Sequence, residues 1–150
     1  MKKSLKALSA LCLSATVFAG CSSSSTEEKI PQIGVAQIVS HTSLNTIRDA
    51  FVAQMEELGY KDGETVNYDF ADAAGQPSNL NAIMSQFADE DSDVIVAIAT
   101  PTAQSAANYA DQIPVVFSAV SDPVGAGLVK SLDKPDGNIT GTSDEVQIDQ

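Results

Sequence analysis

Asp93-Val94-Ile95-Val96-Ala97-Ile98-Ala99-Thr100-Pro101-Thr102-Ala103 is the stretch on which the reading of this chain turns. Apolar residues run unbroken from Val94 to Ala99. A strand covered on both faces has that composition, because neither face meets water. Thr100-Pro101-Thr102 then sets two short hydroxyls around a proline, whose fixed φ suits a first helical turn. Beyond it, Ala103, Ala106, Ala107 and Ala110 recur at helical spacing and offer a small-residue face that can approach a sheet closely. The stretch is expected to be a parallel strand running into a helix N-terminus. In open α/β sheets that junction is where ligands bind.

The same unit recurs on either side. Ile33 to Val39 is another almost wholly apolar run, followed by Ser40-His41-Thr42-Ser43, which supplies N-cap side chains. Leu44, Ile47, Phe51, Met55 and Leu58 then mark one face of an amphipathic helix, with Gly59 placed to end it. Thr65 to Ala71 alternates Val66, Tyr68 and Phe70 with Asn67 and Asp69, the pattern of a sheet edge or a partly wet face. Asp72 to Pro77 reads as a loop, and Leu80, Ile83, Met84 and Phe87 as a second helix capped by Ser78 or Asn79. Asp89 to Asp93 is an acidic turn without the ligand spacing of a calcium loop. Ile113 to Ala119 is a fourth strand, Val120 to Val129 a long loop or short helix, Lys134 to Gly137 a turn, and Asn138 to Thr142 a short fifth strand. Alternating strands and helices of this kind predict a doubly wound parallel α/β sheet.

In such a sheet the loops after the strands share one rim. Here that rim carries Ser40-His41-Thr42, Thr100-Pro101-Thr102 and Ser118-Ala119-Val120-Ser121-Asp122. Two of these segments open helices, whose N–H groups and dipole favour an anion such as a carboxylate. Asp122 is suited to balance an ammonium. Taken singly, each hydroxyl reads as a helix cap. Taken together, the three segments read as a site for a small polar or zwitterionic molecule. A hydrolase built on His41, the sole histidine, is the weaker reading. Ser40, Ser118 and Asp122 lack the spacing of a triad, and no Gly-x-Ser-x-Gly elbow occurs. Neither a glycine-rich nucleotide motif nor metal-ligand spacing is present, so no cofactor or metal is expected.

Composition narrows the classes further. The formal net charge is −12, with 20 acidic residues against 8 basic ones. Such a balance argues against a nucleic-acid partner, which needs clustered Lys and Arg. The N-terminus has three parts: a start carrying Lys2, Lys3 and Lys6, an apolar stretch from Leu5 to Phe18, and Ala19-Gly20-Cys21. Val17-Phe18-Ala19-Gly20-Cys21 resembles a bacterial lipobox. That resemblance implies a signal peptide over 1–20, lipidation of Cys21 and a membrane-held protein exported to the cell envelope. Ser22 to Lys29 is small and polar, so 21–31 is expected to be a flexible tether. The chain has 2 cysteines, Cys12 and Cys21, and the folded part therefore has no disulfide.

Several further segments carry a family pattern. They are Ile33-Gly34-Val35-Ala36-Gln37, Glu57-Leu58-Gly59-Tyr60, Asp93 to Ala97 and Ile113-Pro114-Val115-Val116-Phe117. Ser121-Asp122-Pro123-Val124-Gly125-Ala126-Gly127-Leu128-Val129 and Pro135-Asp136-Gly137-Asn138-Ile139-Thr140-Gly141 complete it. Together they resemble the ABC-transporter substrate-binding lipoproteins related to tryptophan and tyrosine uptake proteins. The resemblance implies a type I periplasmic binding protein with two Rossmann-like lobes closing on a ligand. Residues 32–150 are then expected to be the N-terminal lobe, with a second lobe outside this chain. It also implies an amino acid ligand, most readily an aromatic one, delivered to an ABC permease. The ligand-facing positions carried over are Ser40, Thr100, Thr102, Ser118 and Ser121, with His41, Pro101, Ala119 and Asp122 beside them. A sensory module of the same fold is the alternative.

Overall fold

A computed structural model describes residues 29–135 and 137–144. The signal segment, Cys21, most of the tether, Asp136 and residues 145–150 lie outside the described residues. Eight elements follow in order: β1 (Gln32–Gln37), α1 (Thr42–Glu57), β2 (Asn67–Asp72), α2 (Pro77–Asp89), β3 (Val94–Ile98), α3 (Thr100–Ala107), β4 (Val115–Val120) and β5 (Ile139–Ser143). The strands form one parallel sheet in the order β2-β1-β3-β4-β5. This is the doubly wound α/β sheet that the alternating pattern predicts. The chain grows outward to β2, then reverses and grows the other way from β3. The β1/β3 boundary is thus the topological switch point.

Successive side chains of a strand face opposite sides, so each central strand feeds two cores. Ile33, Val35, Val96 and Ile98 meet Leu44, Ile47, Phe51 and Met55 of α1. Ala36, Ile95, Ala97, Val115 and Phe117 meet Met84 and Phe87 of α2 and Ala103 and Ala106 of α3. Close approach on this second face depends on small residues. A Cβ placed on Gly34 would lie 2.5 Å from the Phe87 ring, so the phenyl ring occupies the space that any larger residue would need.

β2 is an edge strand, as its alternation predicts. Tyr68 packs edge-on against Phe51 of α1, with ring centroids 6.1 Å apart, and Phe70 stays 46% exposed. Burial pushes the Tyr68 phenol up, and the nearby Asp62 and Glu56 charges push it further.

Several boundaries differ from expectation. β1 stops at Gln37, because Ile38 and Val39 bend away and Val39 is 38% exposed. α2 starts at Pro77, not after Ser78 or Asn79; Gln76 is its N-cap and makes no side-chain capping bond. A proline at the first turn needs no N–H partner, which makes a hydroxyl cap dispensable. β4 begins at Val115 because Pro114 has no N–H to give, although its carbonyl accepts from Ile95 N at 2.9 Å. Residues 121–129 form turns rather than a helix, closed by Ala126 N to Asp122 O (2.9 Å) and Leu128 N to Pro123 O (2.9 Å). The last residues of the expected tether are tied down. Lys29 Nζ lies 3.6 Å from an Asp93 carboxylate oxygen, and Pro31 O accepts from Asn67 N at 2.8 Å.

Asp69 carries a pH dependence. Gln86 Nε2 donates to Asp69 Oδ2 at 3.2 Å and to Glu90 Oε1 at 3.1 Å, which gathers the two carboxyls. Burial lifts the Asp69 pKa above its ordinary value, with the hydrogen bond and like charge of Glu90 adding to the rise. A carboxyl with a raised folded pKa holds its proton more tightly in the native state. Its contribution is therefore present at low pH and is lost as pH rises through the folded value. Asp69→Asn mimics the protonated form. It is expected to raise stability at neutral pH by about 0.5 kcal/mol or less, given the solvent access of the group. The gain should vanish below a pH of about 3.9. Thermal melts in both buffers check this, and an equal gain in the two would refute the linkage.

Candidate functional site

Strand register brings the rim residues into line. Asp72 of β2 pairs with Gln37 of β1, Gln37 with Ile98 of β3, and Ile98 with Ser118 of β4. The three expected segments begin at or just past this row, so the topology gathers Ser40, Thr100 and Ser118 at one end of the sheet. At the other end, a depression of about 510 Å³ is lined by Lys29, Asp91, Ser92, Asp93 and Gln112. It lies at the N-terminal ends of the strands, away from the switch point where helix N-termini converge.

The first segment is a capping structure. His41 is the N-cap of α1, and its Nδ1 accepts from Ser43 N at 3.3 Å. Ser40 Oγ accepts from Asn45 Nδ2 at 3.2 Å. Both residues remain exposed. The capping reading thus holds for this loop, and its exposed surface is still open to a ligand.

The second segment departs from it. α3 begins at Thr100 with Ala99 as N-cap and no side-chain capping bond. Pro101 is exposed and Thr100 half-buried. Thr102 is fully buried, and among the described residues its Oγ1 has no hydrogen-bond partner. The expected rim hydroxyl at 102 therefore points inward. On a helix laid against a sheet, positions 102, 103 and 106 share the covered face. The anion-favouring feature that remains is the backbone, since Pro101 has no N–H and the first turn presents the amides of Thr100 and Thr102.

Ala99 itself has φ 78° and ψ 154°, and Ala119 has φ 56°. Side chains other than glycine rarely occupy either conformation, and the first is close to a glycine-only region. Ala99 directly follows β3 and Ala119 is the penultimate residue of β4, so both strained alanines lie at the rim. Ala99 N donates to Ser118 O at 2.9 Å, and Ala99 O accepts from Ala103 N at 3.0 Å, so the strain is held by bonds on either side.

In the third segment Ser118 Oγ accepts from Thr142 Oγ1 at 3.4 Å, and Ser121 O accepts from Ser143 Oγ at 3.1 Å. Asp122 Oδ1 accepts from Gly125 N at 2.7 Å. Asp122 thus closes its own turn, although it remains exposed. Register between β4 and β5 shifts between Phe117 and Val120, which aims this loop.

The polar residues not anticipated are Gln37, Asn45 and Asp72. Gln37 is 3% exposed, and its Nε2 donates to Val39 O, Asn45 Oδ1 and Asp72 Oδ2 at 3.2, 2.9 and 3.0 Å. One amide thereby joins β2, β1, the following loop and α1. The signal for it was present: Gln37 is the one polar side chain within the expected strand Ile33 to Val39.

Fold and rim together define a Rossmann-like lobe of the kind found in periplasmic binding proteins. The chain belongs to the ABC transporter substrate binding protein family, whose sequence model matches residues 32–150. It is 39% identical, over 99% of its own length, to a tyrosine-binding protein of Clostridioides difficile, and covers 46% of that protein. Among solved structures it is similar to the ligand-free, open form of a substrate binding protein with adhesive properties from Clostridium difficile. That match has a TM-score of 0.77 and 45% identity, over 79% of this chain and 40% of the other. It is also similar to an ABC domain in complex with L-Trp from Streptococcus pneumoniae, with a TM-score of 0.73 and 43% identity, over 77% of this chain and 39% of the other. The chain thus spans about half the length of the curated relative it matches. Among the described residues, no helix is long and apolar enough to cross a membrane.

Proposed function

We propose that this protein is the solute-binding component of an ABC importer and captures an amino acid, preferentially an aromatic one, without chemical conversion. The observation that carries the reading is the rim at the switch point. It combines the helix N-terminus at Thr100-Pro101 with short hydroxyls at Ser40, Ser118 and Ser121 and acidic residues at Asp72 and Asp122. A zwitterion needs these two kinds of partner, amides for its carboxylate and acceptors for its ammonium. The relatives support the choice of ligand, since one is a tyrosine-binding protein and another was solved with L-Trp. In this reading residues 32–150 are one lobe, and a second lobe completes the cleft. The lipobox-like Val17-Phe18-Ala19-Gly20-Cys21 supports export and lipid attachment at Cys21, which would hold the binding domain near its permease.

Calorimetric titration of the full-length protein with the standard amino acids tests the proposal. Heat is expected with L-tyrosine or L-tryptophan and weaker or no heat with charged amino acids. No heat with any amino acid would overturn the ligand assignment.

A further inference from the structure

Gln37 has one end too many partners and the other end none. Its nitrogen faces three acceptors, while an amide nitrogen carries two hydrogens. That crowd of acceptors also settles which end of the amide is nitrogen. Oε1 is buried and, among the described residues, has no hydrogen-bond partner. A buried carbonyl oxygen without a donor is unfavourable, so native structures normally supply one.

The surroundings indicate what that donor is. Beside Gln37 lies a cavity of about 130 Å³ with Ser40, Arg48, Phe70 and Asp72 in its wall. It is far smaller than a whole-ligand pocket and suits a head group. The charge of Arg48 is engaged by Asp49, with Nη2 2.7 Å from Oδ1, and its guanidinium sits 5.9 Å from the Phe70 ring centroid. The other polar residues of the wall are Gln37, Asp72 and Ser40. The Asp72 oxygens accept from Gln37 Nε2 at 3.0 Å and Ala74 N at 2.7 Å, and Gln37 Oε1 is buried behind the wall. Strand β3 lies next to β1, with Ile98 opposite Gln37 and Thr100 two residues further on. The acceptor pair and the amides opening α3 therefore sit at neighbouring strand ends.

We infer that Gln37 Oε1 accepts a hydrogen bond from the ammonium group of the bound amino acid, with Asp72 supplying the opposing charge. The assignment rests on the amino-acid reading above and gives the ligand a direction. Its ammonium lies toward β1 and β2, its carboxylate toward the N-terminus of α3.

The test compares amino acids with their des-amino counterparts, 3-(4-hydroxyphenyl)propanoate and indole-3-propanoate, by calorimetry on the full-length protein. The wild type is expected to prefer the amino acid. Gln37→Met keeps length and volume but removes the acceptor. It should weaken amino-acid binding about tenfold while leaving the des-amino ligand unchanged, since a site built for a donor loses only the ligand that carries it. Asp72→Asn, at an exposed position, should reduce the same preference about threefold and decides the matter if Gln37→Met fails to fold. An unchanged preference would mean that solvent fills the acceptor and would overturn the inference. Equal loss for both ligands would make Gln37 a purely structural residue and would also overturn it. Absence of amino-acid binding in the wild type would overturn the binding reading itself, and this assignment with it.

Discussion

Phe87→Ala and Gly34→Val, made separately, are each expected to destabilise the protein strongly. The first should cost about 3–5 kcal/mol, because it empties a fully buried aromatic site. The second should cost about 3 kcal/mol, because its Cβ would lie 2.5 Å from the Phe87 ring and the surrounding core is closed. The two are not independent. Valine at 34 occupies part of the space that the phenyl ring leaves, so the double variant should be more stable than the sum of the single losses by about 1–3 kcal/mol. Urea titration of the four proteins gives the coupling. Simple additivity would mean that β1 and α2 are not held apart by this ring. The absence of a side chain at 34 is what lets α2 lie close to the sheet and bring its first turn toward the strand ends.

The second large effect concerns Ala99. At φ 78° and ψ 154°, a Cβ is tolerated only because bonds to Ser118 and from Ala103 hold the backbone on both sides. Ala99→Gly removes the steric conflict and should stabilise by about 1 kcal/mol, after the larger entropy loss of glycine is subtracted. Ala99→Val adds β-branching at a positive φ and should cost about 2–3 kcal/mol. The two substitutions are thus expected to move the denaturation midpoint in opposite directions at constant m-value. Movement in the same direction would show that the conformation at 99 carries no strain. The position matters beyond stability, since Ala99 sets the angle at which the Thr100 and Thr102 amides leave the sheet.

Much of the architecture was legible because burial writes itself into composition. β1 and β3 are covered on both faces and read as almost wholly apolar runs, while β2, at the edge, reads as alternation. The rim was legible for a topological reason: in a parallel sheet, the loop after every strand returns to the same end. What escaped has equally physical causes. Ala99 and Ala119 are alanines in conformations that glycine usually marks, so no residue type announced them. Pro77 removed the need for a cap and shifted the start of α2 away from the hydroxyls that looked like one. Thr102 looked like a rim residue because its neighbours are, yet the helical period turns it inward. Gln37 was hidden inside an apolar run, where a single polar residue carries little weight in a pattern but much in a structure.

The position of β2 at the sheet edge, among the described residues, has a consequence for association between copies. A strand edge is a template on which a second copy can add, and here Asp62 Oδ1 accepts from the Tyr68 N–H at 3.2 Å. Two of the six residues of β2 are aspartates, Asp69 and Asp72. Antiparallel addition of another β2 can bring these carboxylates opposite their counterparts, an arrangement that destabilises strand pairing. The net charge of −12 adds a longer-ranged repulsion between copies. The alternation that marks this strand as an edge thus also acts against self-association, and a single Asp69→Asn substitution, while easing repulsion inside one molecule, weakens that guard between two.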